Sequence, residues 1–142
     1  MSTLFGEEHV KRYQETDGEE GHIWREGSTI LLLTTVGRKS GRESTTPLIY
    51  GLDADNPVIV ASKGGAPEHP GWYRNLVKNP AAHVQILGEK FPVRARDAEG
   101  EERARLWQTM AAIWPDYNNY QTKTDRQIPV IVLEPIADSK AA

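Results

Sequence analysis

The β-rich runs of this chain come in the order strands, helix, strands, helix, strand, and that order constrains the fold more than any other feature. Strands and helices that alternated one for one would build a doubly wound parallel sheet. These do not alternate. The sequence therefore predicts an α+β domain on a small, mostly antiparallel barrel of about six strands with two to three helices. The strands are read at 29–36 (TILLLTTV), 45–52 (TTPLIYGL), 58–62, 83–87, 90–96 and 128–133. Each is rich in β-branched or apolar residues and is bounded by turn residues. Pro47 inside the second run predicts a sheet edge or a bulge there. Phe91, Val93 and Ala95 alternate with Lys90, Arg94 and Arg96, so 83–96 reads as a hairpin about Gly88-Glu89.

The helices follow from other signals. Pro70 suits the first turn of a short helix that carries Trp72, Tyr73 and Asn75. Residues 97–114 form the clearest helix, with Asp97 as its cap and Glu99, Glu101 and Glu102 at the positive end of its dipole. Leu106, Met110 and Ile113 recur at helical spacing and face the core. Pro115 ends this helix, and 115–121 reads as an aromatic, hydrogen-bonding turn. Residues 1–27 are polar and partly helical, with Leu4, Val10 and Tyr13 on one face. The stretch 17–21 reads as a flexible acidic connector, His9 and His22 as surface residues, and the tail 137–142 as frayed.

Composition excludes several chemistries. The chain has 142 residues, enough for one domain with a real core. It has no cysteine, so disulfides, thiol catalysis and cysteine-ligated metal are ruled out. A net charge of -3, from 17 basic and 20 acidic residues, argues against a nucleic-acid binder. HExxH, an acidic calcium loop, GxSxG and GxGxxG are all absent, so the sequence predicts no metal, no serine nucleophile and no Rossmann nucleotide site. The N-terminus lacks the blocks of a signal peptide and no apolar run is membrane-long, so a cytoplasmic location without membrane contact is expected.

Two loops carry the functional signal. The first is 37–42 (GRKSGR), where Arg38, Lys39 and Arg42 sit between two glycines. Alone it reads first as a solvated basic turn, and second as a set of N–H groups and cations converging on an anion. The second is 62–76 (SKGGAPEHPGWYRNL), which puts a lysine, two glycines and aromatic rings after a strand. It reads equally as a plain strand–turn–helix connection or as a site for an anionic ligand with a flat ring. The phosphorylated ring cofactors are the class that would suit such a site.

Taken together these stretches resemble the deazaflavin-dependent nitroreductases. The resemblance runs through Gly37-Arg38-Lys39-Ser40-Gly41, Pro47-Leu48, 62–67, Pro70-x-Trp72-Tyr73-x-Asn75-Leu76 and Asn79-Pro80. It ends in Pro115-x-Tyr117-x-x-Tyr120-Gln121-x-x-Thr124-x-Arg126-x-Ile128-Pro129, and covers about 28–136 as one domain. It implies a split β-barrel and an oxidoreductase that uses reduced coenzyme F420, a deazaflavin, to reduce quinones, enones and nitroaromatics. The partners implied are a small-molecule electron acceptor and, for assembly, a monomer or homodimer. A non-catalytic deazaflavin binder, or an FMN protein of the wider split-barrel group, is the alternative.

The resemblance also implies roles. Arg38, Lys39 and Ser40 would hold the phosphate and acidic tail, and Ser44, Thr45, Thr46, Pro47, Leu48 and Ile49 would run along the cofactor. Val60, Ala61, Ser62 and Lys63 would pass beside the ring and phosphate. Gly71, Trp72, Tyr73, Arg74 and Asn75 would complete the pocket, with Tyr117. Tyr117, Tyr120 and Trp114 would border the substrate, and the hydroxyls of Ser62, Tyr117 and Tyr120 are the catalytic candidates. The chain departs from the pattern at Ser44, where relatives often carry arginine, and at Ile49, where one can carry tyrosine.

Overall fold

The computed structural model describes residues 4–136, so the tail from Ala137 lies outside the described residues. One antiparallel sheet holds β1 (Ile30–Val36), β2 (Glu43–Ile49), β3 (Gly51–Asp53), β4 (Asn56–Val60), β5 (Ala81–Ile86), β6 (Glu89–Asp97) and β7 (Val130–Pro135). Four α-helices accompany it: α1 (Gly6–Thr16), α2 (Gly71–Lys78), α3 (Gly100–Ile113) and α4 (Asp116–Thr122). The α+β class is as the order of the runs predicts. No helix among the described residues is long and apolar enough to cross a membrane.

The strand order is β2-β1-β5-β6-β7-β4-β3. Its two edges, β2 and β3, are separated in the chain by Tyr50 alone. In a flat sheet, strands about 4.8 Å apart would hold edges so far down the order about 29 Å from each other. One residue reaches about 3.5 Å. The sheet therefore curls until its edges meet, which makes a half-barrel. Pro47 lies on the edge strand β2, where its missing N–H breaks no ladder bond on the open side.

Both faces of the central strands are buried, which is why they read as unbroken apolar runs. Leu31, Leu33, Ile59, Ile131 and Leu133 point one way, into a core shared with Leu76 of α2. Val58, Val60, Val130 and Val132 point the other way, against Leu106 and Met110 of α3 and Tyr117 of α4. Ile30 and Leu32 face Tyr13 of α1. The side-chain period of two thus divides each strand between two cores.

Several local expectations are corrected. The run 45–52 is two strands, because Tyr50 turns the corner between the edges. The long helix starts at Gly100 with Glu99 at its cap, whereas Asp97 closes β6 and accepts a hydrogen bond from the Tyr73 hydroxyl at 2.5 Å. The segment 115–121 is a helix: Pro115 cannot continue α3, but its fixed φ starts α4. The acidic connector is a folded turn, held by Gly18 N–H donating to Tyr13 O (2.8 Å) and by the Arg12–Glu20 ion pair (2.6 Å). His9 is buried at 2% exposure, with Nε2 bonded to Gly21 O at 2.8 Å. The polar helix α1 buries only His9 and Tyr13, too few to show as a periodic stripe.

Candidate active site

A cavity of about 430 Å³ lies where the β2 edge, the end of β4, α4 and α1 meet. Thr46, Pro47, Leu48 and Ile49 supply one wall. Val60 and the loop residues Ser62, Lys63 and Gly64 supply a second, continued by Pro70 and Trp72. Trp114, Tyr117 and Tyr120 form the third. A separate basic cleft is lined by Arg38, Lys39, His69, Tyr73, Arg74 and Val77. Consecutive residues of α2 join the two: Trp72 faces the cavity while Tyr73 and Arg74 face the cleft. Among the described residues, no carboxylate lines either one.

The fold brings the two signal loops together. The basic loop joins β1 to β2, and Arg38 reaches α2, which follows the second loop. Arg38 donates to Asn75 Oδ1 from its backbone N–H (3.2 Å) and from Nη1 (2.9 Å), while Asn75 Nδ2 donates to Thr35 Oγ1 (3.0 Å). Asn75 is buried, so its amide holds the loop and does not line the cavity. Ser40 Oγ accepts from the Arg42 N–H at 3.1 Å, inside the turn. Thr45 shares a hydroxyl bond with Thr34 at 2.8 Å. Ala61 is core, Gly71 offers its carbonyl to Arg38, and Ser44 is exposed on the strand. These six line neither space.

The hydroxyls set the chemistry. Tyr117 is 5% exposed and lines the cavity, and its hydroxyl has no hydrogen-bond partner among the described residues. Burial, with Tyr120 beside it, pushes its pKa well above the ordinary phenol value, so it stays protonated. Tyr120 packs edge-on to Tyr117 at 6.2 Å and accepts from Trp114 Nε1 at 3.3 Å, which leaves its own proton free to donate. Gly65 permits this approach: a Cβ there would lie 2.6 Å from the Tyr120 carbonyl oxygen, and its φ is +84°. His69 Nδ1 pairs with Arg126 Nη1 at 3.0 Å, and burial together with Arg126 and Arg74 lowers its pKa and keeps it neutral.

Sequence reasoning missed the fourth wall. Phe5, Gly6, His9 and Trp24 line the cavity from the N-terminal segment. Trp24 stacks on Trp114 at 5.8 Å and 24°, and its Nε1 donates to Leu4 O at 2.9 Å. Phe5 and Trp24, large aromatics in a mostly polar stretch, were the available signal. Aromatic walls, free hydroxyls and a cationic cleft fit a flat ring that carries an anionic extension.

The comparisons with known proteins agree. Residues 5–135 match the family model described as F420H(2)-dependent quinone reductase. An F420H(2)-dependent quinone reductase of Mycobacterium tuberculosis is 41% identical over 128 residues, covering 88% of this chain and 86% of that protein. A solved F420-H2 dependent reductase, FDR-A, superposes with a TM-score of 0.69 at 45% identity, covering 74% of this chain and 93% of the other. A second solved chain, described as a domain-swapped dimer, gives a TM-score of 0.71 at 42% identity, covering 89% of this chain and 95% of the other. On the match of nearly the whole described chain, this protein belongs to the F420H(2)-dependent quinone reductase family.

Proposed function

We propose that this chain reduces quinones with a hydride from reduced coenzyme F420, and that the 430 Å³ cavity is where the two meet. When bound, the coenzyme supplies the hydride. Trp72 and the β2 wall would hold its ring, and Arg38, Lys39 and Arg74 would take its anionic extension. The chain's own chemical task is to orient the quinone and supply the proton that accompanies the hydride. The unpartnered Tyr117 hydroxyl carries this reading. Buried and kept protonated, it donates a hydrogen bond to the carbonyl oxygen of the acceptor and stabilises the charge that builds there. Tyr120 and Ser62 offer further hydroxyls to the same cavity. Activated enones and nitroaromatics present acceptor oxygens of the same kind and fall within the proposed range.

A titration of tryptophan fluorescence with oxidised coenzyme F420, set against FMN, tests the cofactor. Trp72, Trp114 and Trp24 all line the cavity, so binding quenches them. Oxidation of the reduced coenzyme by a quinone panel tests the reaction. Binding without turnover would make the chain a deazaflavin carrier, and FMN binding in place of F420 would remove the cofactor assignment. The swapped-dimer relative supports a homodimer over a monomer, and sedimentation of the full chain checks that.

A further inference from the structure

Arg126 lies in a polar stretch between α4 and β7, and among the described residues His69 is the one side chain its guanidinium hydrogen-bonds. Its guanidinium is spent on the loop that follows β4. Nε donates to Ala66 O (2.9 Å), Nη1 to Ala61 O (3.2 Å) and Nη2 to Ser62 O (2.7 Å). Nη1 also meets His69 Nδ1, which is how the same group touches the basic cleft. These partners lie 57 to 65 residues away in the chain.

Peptide geometry converts these bonds into a statement about the other side of the loop. Among the described residues every peptide bond is trans, and in a trans peptide the N–H points opposite to the C=O. A guanidinium that fixes the carbonyls of Ala61 and Ser62 therefore turns the N–H groups of Ser62 and Lys63 away from itself. Both residues line the cavity, and neither N–H meets an acceptor among the described residues. The backbone angles agree. Ser62 is right-handed (φ -78°, ψ -40°) and Lys63 is left-handed (φ 46°), followed by Gly64 at φ 63°. A right-handed residue followed by a left-handed one makes successive N–H groups converge on one point, a concavity that receives oxygen anions. A lysine rarely adopts that φ unless surrounding bonds impose it.

We propose that Arg126 is a positioning residue: from behind the loop it aims the N–H groups of Ser62 and Lys63 into the cavity, where they bind an oxygen of the coenzyme. The inference rests on the cofactor reading above and adds to it the group that shapes the backbone donors. Lysine cannot replace it, because a single ammonium cannot reach three carbonyls and an imidazole in the fixed fork that a guanidinium offers.

The test uses the full chain, as wild type and as Arg126→Lys. Fluorescence titration gives the Kd for oxidised coenzyme F420, and steady-state assays give separate KM values for the reduced coenzyme and for a soluble quinone. In Arg126→Lys the coenzyme Kd and KM rise roughly tenfold, the effect of one lost hydrogen bond to a charged group, while the quinone KM stays within about twofold. A merely structural arginine would lower the active fraction and leave Kd and both KM values as they are, which overturns the proposal. Amide ¹H–¹⁵N spectra of the wild type give a readout that needs no variant. On adding the coenzyme, the Ser62 and Lys63 signals move downfield; if both stay still at saturation, the proposal fails even where Arg126→Lys does not fold. A wild type that binds no coenzyme F420 sinks the cofactor reading and this inference together. A wild type that binds and turns over, beside an indistinguishable Arg126→Lys, sinks the inference alone.

Discussion

Tyr117 carries a phenol proton that no described protein atom accepts, in a cavity wall where burial prevents its ionisation. Among the described residues only Arg103 Nε is both sealed from solvent and without a hydrogen-bond partner, so the Tyr117 hydroxyl is open to the cavity and can meet a partner there. The substrate oxygen is that partner in the reading proposed above. Tyr117→Phe keeps the ring and removes the donor. It should lower kcat/KM for quinones by about 100-fold, the lower end for a lost acid group, with the coenzyme Kd changed by no more than about twofold. Stopped-flow transfer from the reduced coenzyme measures both. Asn75 makes a different kind of residue-scale prediction. Its amide joins Thr35, Arg38 and thereby the basic loop, while touching neither cavity nor cleft. Asn75→Ala should cost about 1–3 kcal/mol in denaturant unfolding and weaken coenzyme binding through a loosened Arg38.

Elements differ in how far the sequence discloses them. The strands were readable because 29–36 and 128–133 are apolar on both faces, and both faces turn out to be packed. The two signal loops were readable because glycines and cations cluster only there, and the Arg38–Asn75 bonds join them. Helix α4 was hidden behind Pro115, which ends one helix and begins the next, so a single residue gave only half its meaning. The wall made by His9 and Trp24 was hidden because α1 is polar and its apolar face is two residues wide. The work of Arg126 was hidden because its partners are brought to it only by the curled sheet. At this scale the contact between α4 and the 63–65 turn can be tested. Gly65→Ala puts a Cβ against the Tyr120 backbone at a left-handed φ, so α4 must move. The expected cost is about 2 kcal/mol or more of stability, with a matching fall in quinone turnover as Tyr117 and Tyr120 shift; thermal unfolding and kcat/KM report the two.

The whole molecule has an alkaline limit written into its buried phenols. Tyr13 is fully buried, and desolvation pushes its pKa up to about 12. Tyr50, Tyr73 and Tyr117 are raised as well, each mainly by burial. An unfolded tyrosine ionises near pH 10, and the folded chain holds these protons longer. Their contribution is therefore complete below about pH 10 and is lost as pH rises through about 12. The thermal midpoint should be level from about pH 7 to 9 and fall above about 10, less steeply in Tyr13→Phe. A midpoint that stayed level to pH 11 would contradict this account. The position of β7 has a consequence of another kind. It is the last strand among the described residues, yet it lies between β6 and β4 in the sheet. Without β7 the hydrogen-bonded ladder parts into two pieces, β2-β1-β5-β6 and β4-β3, still tied by the chain at Tyr50 but by no ladder bond, so the strand that comes late in sequence is the one that makes a single sheet of them.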